Sequence, residues 1–165
     1  TTSNRSEGNV GYATMDGDTS GSLAPIAGLS KVFILQWLKW AEKELGHTGL
    51  SAVNNLQPTA ELRPIERHQT DEDDLMPYPV LAEIERHAIR DRKSPKEVLA
   101  LMQGSGEDPA IKNHIRKFFR LWARNQWKRE RLAPSFHLDD LNVDPRSWCR
   151  FPILSSGFTE ELAAL

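Results

Sequence analysis

Thr2-Ser3-Asn4-Arg5-Ser6-Glu7, followed by Gly8, is a run of hydroxyl, amide and charged side chains feeding the start of a short helix. Backbone N–H groups and hydroxyls at such a start suit a phosphate, and Glu7 beside it suits Mg2+, which binds carboxylate and phosphate oxygens together. A purely structural reading competes: Ser6 caps the helix and Glu7 complements its dipole. Lys31 opens a later helix, where a cation opposes the dipole unless an anion lies nearby. Thr59 follows Pro58 in a polar stretch, as a turn residue or as a hydroxyl offered to a ligand. Asp71-Glu72-Asp73-Asp74 sets four carboxylates side by side, which repel one another unless a cation relieves them or water solvates them. The single cysteine, Cys149, lacks the context of a reactive thiol and reads as an inert structural one.

These residues need elements to hold them. Residues 8–28 carry Gly11, Gly17, Gly21 and Gly28 among Asp16, Asp18, Thr19 and Ser20, a composition of turns and of site-forming loops. Ser30 is a candidate N-cap, and Leu29, Val32, Phe33, Trp37, Trp40, Ala41 and Leu45 recur at helical spacing until Gly46. Residues 47–78 break into prolines and acids, a length that points to a functional or disordered loop. The only strand signal is a short run near residues 51–56. Val80, Leu81, Ile84 and Ala88 mark a further helix, and Ser94-Pro95-Lys96-Glu97 supplies a capping box with a first-turn proline. Asp108-Pro109 opens another, with Ile111, Ile115, Phe118, Phe119 and Trp122 on its apolar face, expected to run to Leu132 before Pro134. Lys128 falls after that stripe has ended, free to reach a ligand. Residues 135–165 look irregular.

With 165 residues and a formal net charge of −2, the chain has one domain as its default and no global field drawing it to nucleic acid or an anionic membrane. Five charged residues in the apolar stretch 29–45 exclude a membrane span. One cysteine fits a reducing, cytoplasmic setting. The beginning at Thr1, without an initiator Met, reads like the middle of a longer protein whose strands lie mostly upstream.

In order, Thr2 to Glu7, then Gly11-Tyr12-Ala13-Thr14-Met15-Asp16-Gly17-Asp18, Pro25-Ile26-Ala27-Gly28-Leu29-Ser30-Lys31, Pro58-Thr59-Ala60-Glu61-Leu62, Gln69-Thr70-Asp71-Glu72 and Lys128-Arg129 resemble the C-terminal part of the synthetase domain of bacterial NAD+ synthetases. The resemblance implies an α/β fold, the helix-rich C-terminal half of a Rossmann-like adenine nucleotide alpha hydrolase domain of the N-type ATP pyrophosphatase kind. It divides the chain into a nucleotide-site segment (1–60), a mobile acidic loop (61–78) and a helical C-terminal segment (79–165). It implies that ATP adenylates the carboxylate of deamido-NAD+ and that ammonia then displaces AMP. By position, Thr2, Lys31 and Thr59 would contact ATP, Glu7 would hold Mg2+ and lie beside deamido-NAD+, and Lys128 would contact that dinucleotide. Asp71 and Glu72 would belong to the loop closing over the nucleotides. Family members pair through this domain, which implies a homo-oligomer.

Met15 and Ser22 stand where shorter, ammonia-dependent members have Lys and Asp on the dinucleotide, so those contacts do not carry over. This departure and the long segment after Lys112 look more like the glutamine-dependent enzymes, which place an amidase domain upstream. The family's Ser-Gly-Gly-x-Asp-Ser phosphate loop is absent from these 165 residues, so the chain alone is expected not to turn over. A reading of another class is a helical nucleic-acid module, in which cations of residues 112–131 grip phosphates and Phe118, Phe119, Trp122 and Trp127 stack on bases. The simpler account puts those aromatics in the core and the cations in water.

Overall fold

The computed structural model describes residues 1–59, 69–104 and 108–165. The family-like Ala60-Glu61-Leu62 and the first part of the expected acidic loop lie outside them.

Among the described residues the chain is helical, with a single isolated parallel bridge between Ala24 and Ser135. The short α1 (Arg5–Val10) leads through a glycine-rich loop to α2 (Lys31–Glu44), capped by the Ser30 hydroxyl, which accepts from Phe33 N at 3.2 Å. Gly46 then takes φ 70, which an L side chain resists, and the chain reverses into α3 (Leu50–Asn54). Residues 51–56 therefore begin as a helix, not a strand. Among the described residues Val53 and Leu56 have no neighbouring strand to pair with, while Asn54 Nδ2 folds back on Leu38 O at 3.3 Å and Glu42 Oε2 at 2.6 Å of α2.

One turn, α4 (Asp71–Asp74), precedes α5 (Tyr78–Glu85), which widens into a π-helical turn, Arg86–Arg90. The Ser94/Glu97 capping box and Pro95 start α6 (Pro95–Gln103), and the Asp108 side chain, accepting from Ala110 N, starts α7 (Pro109–Arg124). The expected run to Leu132 is interrupted. Asn125 leaves the helix at φ −103, ψ 18, and α8 (Gln126–Arg129) follows as one separate turn. The cause is tertiary: Asn125 Nδ2 donates to Val10 O at 2.7 Å, and the Asn125 side chain occupies the space a Cβ on Gly11 would fill. A last helix, α9 (Thr159–Ala163), ends an otherwise irregular tail.

The core sits where α7 meets α5, α6 and the tail. Ile115, Phe118, Phe119 and Trp122 are buried against Leu81, Ile84, Val98 and Val10. Phe158 and Phe151 of the tail close over them, with ring centroids 4.8 Å from Phe119 and 4.9 Å from Trp122. Each such side chain contributes about 1.5–3 kcal/mol by leaving water, so α7 and the tail stabilise each other. The Cys149 thiol is buried among them, and burial pushes its pKa up, as an inert thiol requires.

Glu85, at the end of α5, is fully buried, with Arg5 Nε 3.9 Å away. Burial pushes its carboxyl up to about 7 from 4.5, against the opposing influence of Asn9, Arg5 and Ser6. With the folded value above the unfolded one, the unfolded chain releases this proton first as pH rises. This contribution to stability is fully present below about pH 4.5 and is lost by about pH 7, a change of about 3 kcal/mol. Glu85→Gln is expected to remove that slope, so the stability difference between variant and wild type in urea titrations should shift in the variant's favour across this window. A constant difference would mean that Glu85 does not titrate there.

Candidate functional site

The capping box on α1 brings the first residues together. Asn4, and not Ser6, is the cap: its side chain accepts from Glu7 N at 3.1 Å, and Asn4 N donates to Glu7 Oε2 at 3.2 Å. Ser6 is the second residue of α1, where its Oγ accepts from Lys31 N at 3.2 Å. With Arg5 N donating to Leu29 O at 2.8 Å, this fastens the start of α2 to α1. The other oxygen of Glu7, Oε1, pairs with Lys31 Nζ at 3.2 Å. Asp71 Oδ2 lies 4.0 Å from the same ammonium. The cation that helix electrostatics disfavoured at the first position of α2 thus sits between two carboxylates, over the Tyr78 ring.

Asp71 is held in turn. Its N donates to Pro58 O at 3.1 Å, and its Oδ2 accepts from Tyr78 Oη at 2.8 Å, while Oδ1 is buried without a partner. Burial first, and the bond to Asp71 second, raise the Tyr78 pKa far above the ordinary phenol value, so Tyr78 stays a neutral donor. Tyr12 repeats the arrangement by donating to Asp74 Oδ2 at 3.0 Å, with its pKa also raised by burial and by that bond. Gln69 donates to the same Asp74 oxygen.

Around this cluster lies a cavity of about 600 Å³. Thr2, Glu7, Lys31, Thr59, Asp71 and Lys128 all line it, although they come from stretches spread over most of the chain. Lys128 is not free: its Nζ donates to Gly11 O and Ala13 O, both at 2.9 Å, and so shapes the loop that forms the cavity rim. Arg129, its neighbour, turns the other way into the protein, where it donates to Asn9 O, Trp122 O and Gln126 Oε1. Glu72 lies outside the cavity lining, its Oε1 accepting from Tyr78 N at 2.7 Å as a cap for α5. Sequence reasoning missed Tyr12, Thr14, Asp18, Ile26 and Ile34, which also line the cavity. Ile34 stands outside the apolar stripe read for α2, and the loop residues carry no periodic signal.

The donor set is made of hard oxygens: Glu7 and Asp71, the latter with a buried oxygen unpartnered, suit a cation that also takes phosphate oxygens. Among the described residues no three His, Cys, Asp or Glu side chains converge as a protein-only metal site. The cavity mixes cations, carboxylates, hydroxyls and two isoleucines, a lining for a ligand with phosphates and a flat apolar part. Phe118, Phe119 and Trp122, which base stacking along α7 would need, are buried in the core. No helix among the described residues is long and apolar enough to cross a membrane.

Comparison with known proteins fits this geometry. The family model described as NAD synthase matches residues 1–132. A glutamine-dependent NAD(+) synthetase of Xanthomonas campestris is 36% identical over 135 residues, covering 81% of this chain and 23% of that protein. One from Arabidopsis thaliana is 33% identical over 149 residues, 86% of this chain and 21% of that protein. The crystal structure of a glutamine-dependent NAD(+) synthetase from Cytophaga hutchinsonii superimposes with a TM-score of 0.82 at 56% identity, over 98% of this chain and 25% of that one. The chain thus spans about a quarter or less of the relatives it matches.

Proposed function

We propose, from the premise that this chain belongs to the NAD synthase family, that it supplies one side of the active site of a longer, ATP-dependent NAD+ synthetase. The observation that carries the reading is the single cavity lined by Thr2, Glu7, Lys31, Thr59, Asp71 and Lys128. The fold would be the helix-rich half of a Rossmann-like ATP pyrophosphatase domain. The reaction joins the carboxylate of deamido-NAD+ to the α-phosphorus of ATP with loss of pyrophosphate, and ammonia then displaces AMP to leave the amide. A free carboxylate is a poor electrophile, and adenylation gives it a leaving group.

In this reading Lys31, Thr2 and Thr59 bind and orient ATP, and Lys128 with the loop it holds receives deamido-NAD+. Glu7 and Asp71 would hold Mg2+, which when bound neutralises charge on the phosphates. The names of the relatives support glutamine as the ammonia source, delivered by an amidase domain elsewhere in the longer protein. A homo-oligomer is supported by the apolar stripe of α2, where Phe33, Trp37 and Trp40 are each about half exposed and Val53 and Leu56 of the α3 region add to them. The lone buried thiol supports a cytoplasmic setting.

The test is formation of NAD+ from ATP and deamido-NAD+, with glutamine or ammonia, by the longer protein; its absence there would overturn the reading. Lys128→Ala is expected to raise the KM for deamido-NAD+ roughly tenfold to a hundredfold, the loss of a charge-assisted hydrogen bond, and to leave that for ATP much less changed. Equal losses for both substrates would reduce Lys128 to a strut for residues 11–13.

A further inference from the structure

A second cavity, of about 480 Å³, shares no lining residue with the first. It lies between the start of α6, the aromatic stripe of α7 and the tail, with Trp122, Trp148 and Phe151 in its walls and Arg92, Lys93 and Arg150 at its edge. We propose that it is a binding site for a small planar aromatic carboxylate, seated among the indole and phenyl rings with its anionic group toward Arg92.

Two independent features carry this. The indole N–H of Trp122 is buried with the weakly accepting Cys149 sulfur as its one neighbour and with no oxygen or nitrogen acceptor, although buried donors are nearly always well satisfied. A polar ligand atom would complete it. Arg92 is one of two described non-glycine residues at positive φ, held at 54° so that its guanidinium lies 5.1 Å from the Trp148 ring centroid. Among the described residues it has no carboxylate partner and no hydrogen bond.

The other edge groups are already engaged. Arg150 donates to Pro145 O and Arg146 O, and Lys93 pairs with Glu97 at 3.6 Å. Glu97, the carboxylate in the lining, accepts from Ser94 N and Ser94 Oγ in the α6 cap. Arg92 is therefore the cation whose donors remain unengaged, over an aromatic wall, and Arg150 adds a second positive charge at the edge. Cation–π attraction and stacking favour a flat ring, and the cation favours a ring that bears a carboxylate over a neutral one.

Titration of the longer protein with 1-naphthoate, followed by saturation-transfer NMR and by the shift of the Trp148 and Trp122 indole resonances, tests this. Saturable binding is expected, weakened roughly tenfold or more in Arg92→Gly and for the neutral 1-naphthylmethanol. Glycine accepts the positive φ, so this substitution removes the cation without straining the backbone. Arg92→Gln, which keeps the length of the side chain, should weaken binding by a similar factor if Arg92→Gly perturbs the fold. Lys31→Met, in the first cavity, should leave naphthoate binding unchanged. The proposal is overturned by absence of saturable binding, by equal affinity for the neutral analogue, by wild-type affinity in both Arg92 variants, or by shifts confined to the tryptophans of α2.

Discussion

Lys31→Met in the longer protein is expected to lower kcat/KM for ATP by roughly 10²–10³-fold, the scale of removing one preorganised donor from a phosphate-handling site. Two effects act in the same direction. The ammonium that would meet the ligand's phosphates is gone, and Glu7 and Asp71, now without the cation between them, present like charge to an incoming anion. The fold should persist, because methionine retains the length of the stem, and the backbone anchor of α2, Lys31 N to Ser6 Oγ, does not involve the side chain. Adding Glu7→Gln separates the effects. Glutamine at the third helical position still supports the capping box with Asn4 while shedding the charge. The double variant should recover part of the ATP affinity and none of the turnover, as read by equilibrium binding and steady-state rates. Wild-type kcat/KM in Lys31→Met would remove this residue from the site.

Arg129→Met should lower stability by about 3 kcal/mol, against a total of about 5–15 for a domain. Arg129 is fully buried, and burial lowers its pKa, so removing the charge by itself relieves a desolvation cost. The larger effect opposes it. Asn9 O, Trp122 O and Gln126 Oε1 would be left in the interior without the donor they share, at about 1–3 kcal/mol each before relaxation. Urea denaturation of the two variants of the adjacent pair, Arg129→Met and Lys128→Ala, should separate them sharply, the second falling within about 1 kcal/mol of wild type because Lys128 keeps access to water. Similar losses for both would mean that the pair acts as one structural unit.

Local signals were legible in the sequence. Ser30, Ser94 with Glu97, and Asp108 act as caps because each cap is a bond between residues two or three apart, and such bonds depend on little else. Long-range competition was not legible. The α7 periodicity gives no hint that Asn125 would donate to Val10 O instead of continuing the helix, nor that Lys128 and Arg129 would point to opposite sides of the break. Ser6 looked like a cap because serine caps often; Asn4 took the role once Ser6 was drawn to Lys31 N. The stripe of α2 followed core spacing, yet only Ala41 of that helix is buried, because spacing shows that a face is apolar without showing what covers it. In and behind the cavity wall, residues with unusual local chemistry were found from the sequence, whereas Tyr12, which lines it, and Tyr78, which holds Asp71 from behind, act through carboxylates distant in the chain or across a turn and were not.

The two bonds from Lys128 to Gly11 and Ala13 join residues 117 and 115 apart, so the rim of the cavity cannot close until nearly the whole segment has left the ribosome. At elongation rates of about 5–20 residues per second, the loop waits on the order of ten seconds for its strut. During that interval α1, six residues long and far below the length at which an isolated helix persists in water, is held by its capping box and by its bonds to the start of α2, Arg5 N to Leu29 O and Lys31 N to Ser6 Oγ. The Glu7–Lys31 pair itself needs only residues 1–31, whereas the rim of the cavity is completed by the last part of the segment to fold.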